Sequence, residues 1–160
     1  MVSKAVLAAI ALALGTPAIA GTPLWGKIEA DMPFADAAAA YPEGHVNTGK
    51  GLFRPMITLD QEIDGCKLSV WILIDRKTAE PGAKVDSVYL SGEKCDAKMF
   101  NNLLAKYGEP MALNDDNDDK KKTARWVKDG RSIVYKRTAG DGFASDRWEI
   151  TYSAVKDLGL

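Results

Sequence analysis

The two cysteines and the single histidine are the first residues to consider for chemistry. Cys66 and Cys95 are the only cysteines in the 160 residues, and His45 is the only histidine. A nucleophilic cysteine paired with His45 would require both thiols to stay reduced, and the cysteine spacing is far from the Cys-x-x-Cys of redox dithiols. We therefore predict a structural Cys66–Cys95 disulfide, which closes a loop of about 30 residues and stabilises the fold by roughly 3–4 kcal/mol.

An acidic segment contains the beginning of a calcium-binding pattern. Asp115, Asn117 and Asp119 form Asp-x-Asn-x-Asp, as in the first half of a calcium loop. A loop that starts at Asp115 would place Lys120 where the sharp turn needs glycine, and Trp126 where the bidentate glutamate belongs. We predict a solvated connection without a metal or other cofactor, and a surface calcium site at these three acidic-segment residues is the alternative.

No catalytic constellation is recognisable. Asp141, Asp146 and Glu149 are close in sequence, and glycosidases need two carboxyl groups about 5–10 Å apart in a cleft. The first two flank an apparent loop and Glu149 faces away from its apolar neighbours, so we predict surface carboxylates. His45 is predicted to be a solvated loop residue, with a pH sensor or metal ligand as the alternative. No nucleophile elbow, phosphate loop, zinc-protease helix or dinucleotide fingerprint is present, and no catalytic residue is predicted.

The four tryptophans carry more information. Trp126 and Trp148 fit a buried role on their strands, whereas Trp71 and Leu73 fall opposite the hydrophobic set of the predicted hairpin. An aromatic side chain on an open sheet face is a plausible contact for a partner protein or a sugar ring. In the other interpretation, the segment around Trp25 folds across the sheet and buries Trp71.

The beginning of the chain has the pattern of an export signal. Lys4 precedes the apolar run Ala5–Leu14, and Ala18–Ala20 offers the small residues that a signal peptidase reads, so cleavage is expected before Gly21. The alternative interpretation of this segment is a transmembrane anchor. It is disfavoured because the ten apolar residues would cross only about half of a bilayer core. No cysteine follows the cleavage region, which argues against a lipid anchor. We expect a periplasmic or secreted protein with no transmembrane segment after cleavage.

Length and charge indicate one domain in residues 21–160. The chain has 27% charged residues and a formal net charge of -1. This composition is typical neither of a disordered acidic tail nor of a basic nucleic-acid binder. The length is sufficient for a modest hydrophobic core.

The first half of the domain reads as a helix followed by three strands. Asp31–Tyr41 is predicted to be a helix capped by Asp31, and the glycine-rich residues 44–51 a loop. Asp64-Gly65 is a two-residue turn signal, and a third strand is predicted over Lys84–Leu90. Centring the hairpin on this turn pairs Ile63 with Cys66, Glu62 with Lys67, Leu59 with Val70 and Ile57 with Ile72.

The second half repeats this order. The stripe of Met99, Phe100, Leu103, Leu104 and Tyr107 predicts a helix over Asp96–Tyr107, which Gly108 ends, and residues 114–122 are predicted to be a polar connection. An Asp129-Gly130 turn pairs Trp126 with Ile133 and Ala124 with Tyr135. The final strand is expected over Arg147–Ser153, with Trp148, Ile150 and Tyr152 inward.

Three kinds of landmark recur at one offset along the chain. The Asp-Gly turns are about 65 residues apart, and so are the helix-terminal tyrosines Tyr41 and Tyr107 and the strands at Val85 and Ile150. We predict an α+β fold of tandem αβββ units, residues 31–91 and 96–154, with coincidence as the alternative. Six strands would form one antiparallel sheet or two joined halves, with both helices on one face.

One segment resembles known families. The step Leu103-Leu104-Ala105-Lys106-Tyr107-Gly108-Glu109-Pro110, with Tyr41-Pro42-Glu43-Gly44 as a poorer first copy, resembles the helix ends of small outer-membrane-assembly lipoproteins. The order of elements over most of residues 30–153 is similar to the β-lactamase inhibitory protein fold. The missing lipid-anchor cysteine departs from the lipoproteins. The resemblance implies binding of another protein without catalysis, and no binding residue can be carried over.

Two functions remain open. The first is a non-enzymatic periplasmic module that binds or inhibits another protein, here an unknown periplasmic protein, through a sheet face around Trp71. The second is a carrier of a small ligand or glycan, with a hydrolase ranked below it, whose site would lie in a cavity between helices and sheet. A flat apolar patch would favour the first, and an enclosed polar cavity the second.

Overall fold

The fold is an α+β arrangement of two helices and ten strands within the part of the chain that the structure describes. A computed structural model describes residues 21–48, 54–75, 83–116, 120–140 and 146–155, so the expected signal segment at 1–20 lies outside it. The helices are α1 (Phe34–Ala40) and α2 (Asp96–Tyr107). The strands are β1 (Pro23–Trp25), β2 (Ile28–Glu29), β3 (His45–Asn47), β4 (Met56–Ile63), β5 (Cys66–Ile74), β6 (Val85–Gly92), β7 (Ala112–Asp116), β8 (Lys121–Lys128), β9 (Arg131–Thr138) and β10 (Arg147–Ala154).

Eight strands form one antiparallel sheet in the order β3-β4-β5-β6-β10-β9-β8-β7, and β1 pairs with β2 in a separate small sheet. Each half of the large sheet runs in chain order from its edge towards its centre. The halves join where β6 pairs with β10, with Leu90 opposite Ile150. The predicted α+β class is therefore confirmed, and of the two predicted arrangements, one antiparallel sheet or two joined halves, the structure has one continuous sheet.

Both predicted hairpins have the expected register. Ile63 pairs with Cys66 and Ile57 with Ile72 in the first hairpin, and Trp126 pairs with Ile133 in the second. Asp64 and Gly65 have φ angles of 52° and 77°, and Asp129 and Gly130 have 51° and 75°. Two consecutive positive φ angles are the geometry that makes Asp-Gly favourable in a two-residue turn.

Three local predictions were wrong. The predicted loop at 44–51 contains β3, and the predicted polar connection at 114–122 contains the last three residues of β7 and the first two of β8, which gives eight strands in the large sheet instead of six. Both missed strands are short, mostly exposed edge strands, so their sequences lack the apolar alternation that marks a strand with one buried face. The first helix begins at Phe34 instead of Asp31, because Asp31 has a φ of 62° and Pro33 occupies the N-cap without a side-chain hydrogen bond.

One face of the large sheet, here called the inner face, holds the hydrophobic core. Ile72, Val88, Ile133 and their in-register neighbours are buried there. Ala37 of α1, Met99 and Leu103 of α2, and Leu24 and Ile28 of the β1–β2 hairpin belong to the same buried cluster. Both helices and the small hairpin thus cover the inner face. The opposite face, called the outer face below, has no second layer among the described elements.

The disulfide and a polar clamp attach α2 to the first hairpin. The predicted Cys66–Cys95 disulfide is confirmed, with 6.0 Å between the Cα atoms, and it joins the first residue of β5 to the N-cap of α2. The Lys98 ammonium donates to the Asp64 carbonyl, and the Asn102 amide donates to the Asp64 carboxylate at 2.8 Å. The turn of one half of the sheet is therefore held by the helix of the other half.

Candidate functional site

The outer face has an uncharged centre. Two neighbouring rows of side chains cross β4, β5, β6, β10 and β9 in register. We call these ten residues the central patch: Met56, Thr58, Trp71, Leu73, Ser87, Tyr89, Ser132, Val134, Thr151 and Ser153. None of them carries a formal charge, and the predicted contact residues Trp71 and Leu73 lie in the second half of β5.

The most prominent feature of the central patch is an aromatic pair. The rings of Trp71 and Tyr89 are directly opposite each other on β5 and β6, with 5.0 Å between their centroids and 53° between their planes. Both side chains are only partly exposed. Such a tilted arrangement is favourable for aromatic side chains, and it holds both rings in fixed positions on the surface.

Tyr89 is also held by a carboxylate. Burial, together with a hydrogen bond from its hydroxyl to Glu149 and the negative charge of that group, raises the pKa of Tyr89 to about 12. The Arg147 guanidinium lies 3.5 Å from the Glu149 carboxylate, and its positive charge lowers the pKa of Tyr89. The hydroxyl therefore stays protonated at all physiological pH values and presents a neutral polar group.

The segment around Trp25 does not cover Trp71. Trp25 stacks on Tyr41 with 5.8 Å between ring centroids, and Leu24 is buried in the core cluster on the inner face. Trp126 and Trp148 are buried as predicted, with 2% and 0% of their surface exposed.

Sequence reasoning missed most of the central patch. Ser87 and Ser132 are only 6% and 8% exposed on the outer face, and nothing in their type suggested a surface role. Tyr89 was not singled out either. The available signal was the alternation along β6: once Val88 and Leu90 are assigned inward, Tyr89 must point outward beside Trp71.

The remaining candidates do not converge on one site. Asp146 is paired with Arg137 at 3.5 Å and accepts the Gly140 amide at 2.7 Å, and this amide hydrogen bond, with Arg137, lowers the pKa of Asp146. Glu149 is on the outer face, and Asp141 lies outside the described residues.

His45 is exposed on the edge strand β3, not in a loop. Because both cysteines are in the disulfide, a cysteine nucleophile is excluded in this state.

The described residues show no arrangement of ligands that would support the alternative of a calcium site. The Asp115 carboxylate accepts a hydrogen bond from Lys122 at 2.9 Å, while Asn117 and Asp119 fall outside the described residues. An open cleft of about 210 Å³ beside Asp115 is lined mainly by basic side chains, among them Lys120 and Arg137. Among the described residues, no group of three His, Cys, Asp or Glu side chains is placed to hold a metal ion.

Comparison with protein-family models, curated proteins and solved structures finds no match to this chain. Of the helices in the described ranges, neither is long and apolar enough to cross a membrane.

Proposed function

We propose that this protein is an exported, non-enzymatic module that binds another protein through the outer face of its sheet. The observation that carries the proposal is the Trp71–Tyr89 pair within an uncharged patch that none of the described elements covers. Tryptophan and tyrosine are the side chains most enriched at the energetic centres of protein interfaces. The partly exposed Thr58, Thr151 and Ser153 of the central patch resemble the small hydrogen-bonding groups that antibody binding surfaces combine with rigid aromatic anchors.

Export to the periplasm or beyond is part of the proposal. It is supported by the signal-like pattern of residues 1–20 and by the disulfide, since disulfides persist mainly in oxidising compartments. The two αβββ repeats also remain a proposal. The strand order supports them, because in each half a helix is followed by strands that run in chain order from the edge to the central β6–β10 pair, with one edge strand more than the three of the proposed unit.

The test is an affinity experiment with matched tryptophan variants. The oxidised protein, purified after export, is immobilised and exposed to periplasmic extract beside Trp71→Ala and Trp25→Ala. Each variant is first checked for its native circular dichroism. We expect a specific protein that the native chain and Trp25→Ala retain and that Trp71→Ala loses, to be confirmed with the purified partner. Retention that Trp71→Ala does not reduce would reject the outer face.

A negative result would favour the second class of function. If no protein is retained at low or high salt, a glycan and small-molecule screen on the same bait becomes decisive. Binding of a sugar that depends on Trp71 would assign the aromatic pair to a glycan site.

A further inference from the structure

The charges around the central patch differ between the two halves of the sheet. At the in-register outer-face positions of β4–β6, acidic side chains outnumber basic ones, with Asp60 and Glu62 against Lys67. At the corresponding positions of β8–β10, basic side chains outnumber acidic ones by four to one. They are Lys121, Arg125, Lys136 and Arg147 against Glu149. On these six strands the outer face is therefore acidic on one side and basic on the other, and the edge strand β7 adds one acidic residue, Asp116, beside Lys121.

A surface of this kind is complementary to itself under a two-fold rotation. We infer, on the basis of the proposed function, that the protein bound by the outer face is a second copy of this chain. The rotation axis runs parallel to the strands along the β6–β10 boundary. It places β4 over β8, β5 over β9 and β6 over β10 of the second copy, so that each acidic half faces a basic half.

The register across the sheet determines which side chains meet. Trp71 on β5 lies over Val134 of the second copy, and Met56 on β4 lies over Val127 of the second copy, which is 42% exposed in the single chain. Apolar groups of both copies are thereby removed from water in the same rows. Face-to-face packing in which the mean strand directions of two sheets stay within about 30° of each other is a common way in which twisted sheets stack.

The same register brings opposite charges together at the rim. Lys136 lies over Ser69 of the second copy, whose hydroxyl donates to Asp60 at 2.9 Å. Lys136 and Asp60 are both exposed in the single chain. Each copy supplies one acidic and one basic member, so the contact occurs twice in the dimer.

The face is large enough for a stable dimer. Eight strands at about 4.8 Å and six residues per strand at about 3.3 Å give on the order of 800 Å² per copy. A standard stable interface buries about 800 Å² per partner.

The experiment is sedimentation equilibrium of the exported, oxidised protein over a wide concentration range, with charge-reversal variants. Asp60→Lys and Lys136→Asp are each expected to raise the dimer dissociation constant by about tenfold, and the double variant to restore most of the affinity. Within one chain these residues lie four strand spacings apart, about 19 Å, so restoration can come only from contact between copies. Trp71→Ala is expected to abolish the dimer and Trp25→Ala to preserve it.

A monomer at every concentration overturns the inference, and so does a dimer that these variants leave unchanged or that the double variant does not restore. A monomer that captures a different protein in a Trp71-dependent manner overturns the second copy as partner while the proposed function stands. A monomer that captures no protein contradicts both.

Discussion

At the residue scale, Tyr89 shows how the outer face keeps polar groups neutral. Its hydroxyl is partly buried and donates to Glu149, so ionisation would place a second negative charge beside the carboxylate. The folded-state pKa of about 12 lies above the value of 10.0 for a free tyrosine. Below about pH 10 the neutral phenol contributes fully to stability, and this contribution is lost as the pH rises through the folded-state value.

We therefore predict that the free energy of unfolding falls between pH 10 and pH 12, and that Tyr89→Phe makes this decline shallower. Glu149→Gln should lower the pKa of Tyr89, because it removes a neighbouring negative charge. Arg147→Gln should raise it, because it removes a positive one. Phenolate absorbance, taken as the difference between each variant and its Tyr89→Phe form, gives the pKa. Shifts of the same sign in both variants would contradict this arrangement.

At the element scale, the two Asp-Gly turns form a natural comparison. Both have nearly identical backbone geometry, with φ angles of 52° and 51° at the aspartates. Asp64 is attached to α2 through Lys98 and Asn102, whereas Asp129 forms, among the described residues, a long ion pair with Arg131 at 3.8 Å. The difference in stability between variants of the two turns therefore measures how much the contacts between the first hairpin and α2 contribute to the stability of the fold.

Asp64→Ala is expected to lower the free energy of unfolding by about 1 kcal/mol more than Asp129→Ala, because it also removes the acceptor of the Asn102 hydrogen bond. The strain of alanine at positive φ is common to both variants and cancels in the comparison. Urea denaturation of the two single variants measures the difference. Asp64→Ala in an Asn102→Ala background should lose this excess, and an equal cost in both turns would show that the clamp contributes nothing to stability.

At the scale of the whole molecule, the first described residues complete a core made by elements far along the chain. Leu24 is 1% exposed within the cluster that the sheet and both helices form. The Arg131 guanidinium on β9 donates to the carbonyls of Pro23 and Leu24 at 3.2 and 3.5 Å. The β1–β2 hairpin is thus an integral part of the fold and not an extension of it.

Leu24→Ala should destabilise the protein by about 2–5 kcal/mol, because it leaves a cavity in a buried cluster. Leu113→Ala is the matched control: this leucine on β7 is 53% exposed, so its loss should change stability by less than about 0.5 kcal/mol. Thermal and urea unfolding of both variants provide the measurement. Similar small effects in both would mean that the β1–β2 hairpin does not support the core.

What the sequence determined by itself was local or compositional. The Asp-Gly turns, with the apolar alternation beside them, predicted both hairpin registers, because a two-residue turn and a period of two leave only one pairing that buries the apolar set. The apolar stripe predicted the bounds of α2, and two cysteines in a chain whose beginning has the pattern of an export signal predicted one disulfide.

Only the tertiary structure decided how these parts are arranged. The β6–β10 junction, the exposed edge strands β3 and β7, and the place of the β1–β2 hairpin depend on pairing between residues far apart in the chain. Trp71 was identified from the sequence, but Tyr89 and the buried serines around it were not. Their surroundings come from strand neighbours that no local pattern specifies, because non-local pairing is selected by the packing of the whole core.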